Sequence, residues 1–101
     1  MATTFEVLAE PRRREILDLL RGGERPVGEL VDHLALSQPA VSKHLKVLRE
    51  AGLVAEQKVG RNVLYRVEPD GLAPLIDWMA VYAVFWRDKF DRLENLLDRM
   101  D

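Results

Sequence analysis

Apolar residues along the first half of the chain recur at helical spacing, in short sets divided by turn residues. Phe5 and Leu8 share one side of a stretch of one or two helical turns at residues 3–9. Pro11 suits the first turn of a new helix, whose apolar face is Ile16, Leu17, Leu19 and Leu20 and whose end is Gly22-Gly23. After Pro26, the set Val27, Leu30, Val31 and Leu34 at i, i+3, i+4 and i+7 predicts a further short helix. Ser37 is a good N-cap, and Pro39 is acceptable inside a first turn. Val41, Leu45 and Leu48 then give the buried stripe of a helix that stops at Gly52.

The period changes after Gly52. Leu53–Val59 and Val63–Val67 read as strands around Gly60-Arg61-Asn62, with Gly and Asn supplying the tight turn. Val63, Tyr65 and Val67 alternate as on one buried face. Residues 71 to 100 then read as one long helix, capped by Asp70. Such a helix would run roughly 45 Å at about 1.5 Å per residue, more than a monomer of this length covers. Leu75, Met79, Tyr82, Trp86, Phe90, Leu93, Leu97 and Met100 alternate steps of three and four, a coiled-coil-like seam. Leu72, Ile76, Val84, Phe85 and Leu96 cover other sides, and Trp78 adds to the excess. A helix apolar on several sides must be buried on several sides, which a symmetric dimer achieves. The aromatic set Trp78, Tyr82, Phe85, Trp86 and Phe90 reads as core and dimer interface, ahead of a pocket for a hydrophobic effector.

The chain has 101 residues, which suits one domain over 1–101, and a formal net charge of −2. A monomer of this size buries only about two-thirds of its unfolded surface, so a second subunit helps it. The balance of 48% hydrophobic and 32% charged residues excludes a disordered chain. Cysteine is absent, which removes disulfides, thiolate metal sites and thiol redox chemistry. The N-terminal residues carry acids and no long apolar run, and the apolar stretch Trp78–Trp86 is too short to span a membrane. The expected location is the cytoplasm, with no membrane partner. No nucleophile elbow, P-loop, dinucleotide fingerprint or zinc-protease motif occurs, so no enzyme and no cofactor is expected.

Two short helices joined through Leu34-Ala35-Leu36-Ser37 and followed by a hairpin make a winged helix-turn-helix, mainly α with a β-hairpin wing. The helix-turn-helix occupies about 27–51, the wing about 53–67 and the C-terminal dimerisation helix about 71–100. In such a unit the second helix of the pair enters the major groove of double-stranded DNA. With Val41, Leu45 and Leu48 inward, Gln38, Ser42 and Lys46 follow at spacing four on the exposed side, flanked by Lys43 and Arg49. Gln38 can pair with adenine through two hydrogen bonds, and Ser42 can bond several base edges. Lys43, Lys46 and Arg49 suit phosphates, and the Ser37 end of the helix adds free N–H groups and a positive dipole. Lys58, Arg61, Asn62 and Arg66 form a second polar and basic group on the wing. A charged helix face is usually only solvated. Here two basic sets flank one groove, and the helix face has no acid until Glu50.

The run VGELVDHLALSQPAVSKHLKVLREAGLV (27–54) with GRNVLYRV (60–67) resembles the ArsR/SmtB family of bacterial transcriptional repressors. The similarity extends upstream through LAEPRRREILDLL (8–20). The resemblance implies a homodimer that represses an operator of two-fold symmetry, with residues 37–50 as recognition helix and 53–67 as wing. It also implies that the first and last helices, with Phe5 and Leu8, build the dimer interface. The sequence departs from the family in two places. Ala35 stands where the turn often has Gly. The family's metal-binding cysteines and terminal-helix histidines are missing, so no metal site of those types is expected. His33 reads as a surface residue, and His44, beside the buried stripe, as packing or touching phosphate. A protein-interaction module using the aromatic last helix is the alternative, and a carboxylate–His33 metal effector a third reading.

The charge is unevenly spread. Residues 37–66 hold six basic and two acidic residues, a net of +4, against −2 before them and −4 after. The positive segment coincides with the expected recognition helix and wing, so mild overall acidity does not exclude DNA.

Overall fold

A computed structural model describes residues 2–99 of the chain. The elements are α1 (Thr4–Leu8), α2 (Pro11–Leu20), β1 (Arg25–Pro26), α3 (Val27–Leu34), α4 (Gln38–Glu50), β2 (Val54–Val59), β3 (Asn62–Val67), a 3-10 turn at Pro69–Leu72, α5 (Ala73–Ala80) and α6 (Ala83–Arg99). Helices α1, α2 and α4 start where a side chain can take an orphan N–H, whereas α3 follows Pro26 with no such cap. Thr3 accepts from Glu6 N, Glu10 from Arg12 N and Ser37 from Ala40 N.

One core holds the helices and hairpin together. Ile16 and Leu20 of α2, Leu30 and Leu34 of α3, and Val41, Leu45 and Leu48 of α4 converge on Val7, Leu53 and Val54, all buried. Full burial of each such side chain contributes about 1.5–3 kcal/mol. Every one of them precedes residue 55. The sheet order is β1-β3-β2, antiparallel throughout. The hairpin was expected, whereas β1 was not. Arg25 and Pro26 pair with Tyr65 and Leu64. The hairpin turn is Gly60-Arg61, with Gly60 at φ 62°, and Asn62 already belongs to β3, opposite Val59. A positive φ at the first turn residue only is the pattern in which glycine leads the turn.

The end of α4 fixes where the wing begins. Gly52, at φ 75°, donates to Arg49 O at 3.0 Å, and Leu53 N–H reaches back to Leu48 O at 2.9 Å. This is a Schellman closure, sealed by the buried Leu48 and Leu53. Gly71 packs against the same turn. A Cβ there would collide with the Gly52 carbonyl and lie 3.0 Å from Leu53 Cα.

The terminal region departs from the single helix expected over 71–100. The ladder breaks at Val81-Tyr82, where Tyr82 N–H bonds Met79 O and Phe85 N–H bonds Tyr82 O, both one residue short of α-helical spacing. β-branched and aromatic residues crowd this stretch, and they lose side-chain freedom in a helix. Asp70 lies within the 3-10 turn, and α5 starts with no side-chain cap. The aromatic set is also not core of its own chain. Trp78, Tyr82 and Phe85 are exposed and Trp86 is half-buried, while the Phe90 side chain lies outside the described ones. Helix α6 projects from the body, and the radius of gyration of 16.5 Å exceeds the about 13 Å usual for this length.

Candidate nucleic-acid interface

The α3–α4 pair positions the face that sequence spacing singled out. Ala35 takes the left-handed conformation, φ 54° and ψ 36°, and donates to Val31 O at 3.1 Å. That turn ends α3 and aims the chain into Leu36-Ser37. Ser37, extended at φ −68° and ψ 154°, starts α4. With Val41, Leu45 and Leu48 buried, Gln38, Ser42, Lys43, Lys46 and Arg49 are all exposed. His44 is only half-buried and turns toward α2, where Arg13 Nε donates to its Nδ1 at 3.4 Å. Arg13 also donates to Val7 O at 3.3 Å, so His44 belongs to a link joining α1, α2 and α4.

The pleat divides the wing residues. Lys58 is paired with Val63 and shares a sheet face with Glu56 and Tyr65, whereas Asn62 and Arg66 stand on the opposite face. Arg61 is in the turn. Lys58, Arg61 and Asn62 therefore gather near the tip. Arg66 lies about 13 Å along β3 from Asn62 at the usual strand rise.

Ion pairs sort the cations further. Arg49 pairs with Glu56 at 2.8 Å, and Arg66 with Glu68 at 3.1 Å. Lys43, Lys46, Lys58 and Arg61 enter no ion pair among the described residues. Burial pushes the Tyr65 hydroxyl above the usual phenol value. The neighbouring Glu56 carboxylate pushes the same way by charge and hydrogen bond, and Arg49 opposes it. Sequence reasoning missed Glu56 because its partners come from α4 and β3, and no local spacing marks them.

Two other features bear on function. A cavity of about 580 Å³ opens between α2 and the foot of the wing, floored by Leu17, Leu20, Leu53, Val67 and Leu72. Asp18, Glu24, Arg21 and Arg66 edge it with balanced charge. Among the described residues no three His, Cys, Asp or Glu side chains gather as metal ligands, and exposed His33 lies on α3, away from the Arg13–His44 link.

The residues expected at a dimer interface form a largely open strip. Phe5 meets Trp78 edge-on at 6.1 Å, Trp78 meets Tyr82 at 5.1 Å, and Tyr82 meets Phe85 and Trp86, each at 6.3 Å. Met79 and Leu97 are exposed, and Leu75 and Leu8 are half-buried, Leu8 against its own core. The Leu93 side chain and Met100 lie outside the described residues.

A capped helix with a basic outer face, set against a basic hairpin by a Schellman turn, defines a winged helix-turn-helix DNA-binding protein. The family of bacterial regulatory proteins named for arsR matches residues 10–56. The chain is 34% identical over 79 residues to the transcriptional repressor SdpR of Bacillus subtilis, covering 78% of this chain and 88% of that one. Its structure superposes with a TM-score of 0.68 on a possible transcriptional regulator for arsenical resistance, at 49% identity over 87% of this chain and 88% of that one. It superposes at 0.64 on the homodimeric winged helix-turn-helix domain Mb0332 of Mycobacterium bovis, at 33% identity over 78% of this chain and 73% of that one. Of three longer mycobacterial relatives it spans between 53% and 66%. The chain belongs to the ArsR family: it is a DNA-binding transcriptional regulator and not an enzyme.

Proposed function

We propose that the protein is a homodimeric repressor acting on an operator of two-fold symmetry. The observation that carries this reading is the set of exposed bases on α4 and the wing tip that enter no ion pair among the described residues, with an open aromatic strip on the terminal helices. Gln38 and Ser42 read base edges from the N-terminal half of α4. Lys43, Lys46, Lys58 and Arg61 take phosphates, with Asn62 and the Ser37 end of the helix, and these contacts set register. His44 positions α4 through Arg13. Arg49 and Arg66 reach phosphate only by leaving their carboxylate partners. Phe5, Leu8, Leu75, Met79, Tyr82, Trp86, Phe90, Leu93, Leu97 and Met100 form the interface between two copies. Two recognition helices then meet major grooves about one helical turn apart. The repressor named SdpR and the homodimeric neighbour support the assignment.

Titration of duplex from upstream of the protein's own gene, against random duplex and across salt, tests it. The expected result is tighter binding to the upstream duplex at moderate salt, with a two-fold-symmetric footprint. Equal affinity for both duplexes counts against it. The exposed Phe5–Trp78–Tyr82–Phe85 strip also favours a second reading, docking of another protein on the terminal helices. A monomer by light scattering at micromolar concentration would favour that reading over the dimer.

A further inference from the structure

Glu56 is the only acid on the hairpin, in the most positive segment of the chain. On the DNA-binding reading, on which this inference rests, that surface meets phosphates, and a carboxylate there opposes them. Its position is nevertheless set from two sides. Arg49, in the last turn of α4, holds it at 2.8 Å. Tyr65 is its direct partner across the β2–β3 ladder and packs against the core. The chain Arg49–Glu56–Tyr65 thus runs from the reading helix through the wing to the hydrophobic centre. An isolated exposed pair contributes little, but here the carboxylate stands beside a half-buried ring that packs against the core, which fixes the strand position the guanidinium must meet.

We propose that Glu56 is a specificity-determining residue of the DNA interface: it keeps Arg49 off the phosphates and makes it a brace between α4 and the wing. Arg49 is then a positioning residue. Two consequences follow from the charge and the geometry. One phosphate contact blind to sequence is withheld, which lowers affinity for random DNA. The wing is held relative to α4, so base contacts and wing contacts come into register together.

The test compares the wild type, Glu56→Gln, Arg49→Gln and the double variant on upstream and random duplexes between 50 and 200 mM salt. Both side chains lie outside the core, and glutamine at 56 keeps the shape of glutamate without its charge. Glu56→Gln is expected to free Arg49 for a phosphate. This steepens the salt dependence on random duplex by about 0.9 in log–log slope, so its advantage over wild type shrinks about 3.5-fold across that range. The ratio of upstream to random affinity falls. Arg49→Gln keeps the wild-type slope on the upstream duplex, and the double variant loses the gain of Glu56→Gln.

A slope lowered by about 0.9 in Arg49→Gln would place Arg49 on phosphate in the complex and overturn the proposal. So would a gain that persists in the double variant, since Glu56 would then act by bulk charge alone. Wild-type slope and ratio in Glu56→Gln overturn it as well. A wild type that binds both duplexes equally sinks sequence-specific repression instead, while the slopes on random duplex still decide the role of Glu56. No binding to either duplex overturns both.

Discussion

Ala35 holds a left-handed backbone, φ 54°, at the turn that aims the recognition helix. A Cβ in that region costs roughly 1–2 kcal/mol, and glycine removes the strain while adding freedom to the unfolded chain. Ala35→Gly should therefore raise the melting temperature by roughly 3–6 °C, a net of about 0.5–1 kcal/mol. A lowered melting temperature would show that the turn is not strained. Gln38 and Arg61 divide the expected DNA contacts. Gln38 is exposed in the first turn of α4, where the proposed complex puts base edges, whereas Arg61 sits in the wing turn. Gln38→Ala should relax base preference at one position and cost about 1–3 kcal/mol on the operator. Arg61→Ala should weaken binding to every sequence and flatten the salt dependence. If both variants behave alike in a mutated-operator series, the division is wrong.

At the scale of elements, legibility followed how local the cause is. The helices up to Glu50 were readable because spacing, Pro11, Ser37 and Gly52 all act within a few residues. The hairpin was readable from Gly60 and the change of period. Strand β1 was not, since an extended Arg25-Pro26 becomes a strand only through pairing with β3, far along the chain. The break at Val81-Tyr82 was invisible because no Gly or Pro occurs after Pro74, and an apolar run on all sides carries no local stop. Among the site residues, spacing found the outward face of α4, but the pleat separated Arg66 from the wing tip. The Arg49–Glu56–Tyr65 chain lies across three elements and shows in no periodicity. Its hydroxyl also makes the wing sensitive to alkali. Burial, aided by Glu56, raises Tyr65 above its unfolded value. The raised group contributes stability that is full below about pH 10, the unfolded value, and is lost as pH rises through the folded one. Denaturant midpoints should fall more steeply above about pH 10 in wild type than in Tyr65→Phe. Parallel curves for the two proteins would mean that Tyr65 titrates as it does in the unfolded chain.

The whole molecule reconciles a net charge of −2 with a DNA partner by segregation. The positive segment lies on α4 and the wing, whereas the acidic excess is spread over residues 1–36 and 67–101, with the projecting α6 itself carrying four acids and four bases. A dimer joined through the terminal helices presents the positive surface twice. The proposed dimer also accounts for why α6 leaves its own body. Phe85 is 73% exposed and Val84 74%, side chains that a folded domain of this size does not ordinarily leave in water together. Because Phe85 is so exposed, Phe85→Glu leaves the core from Val7 to Val54 untouched, and any loss it causes is a loss of association. In wild type the melting temperature should rise with protein concentration, as mass action requires when folding and association are linked. In Phe85→Glu it should not, and light scattering should report a monomer. Two linked reading heads gain about 10²–10⁴ in avidity over one. The variant should lose operator affinity by that order while keeping the wild-type affinity for an isolated half-site. A dimer that survives Phe85→Glu would move the interface off the aromatic strip, and a monomer that keeps full operator affinity would remove the need for two-fold symmetry.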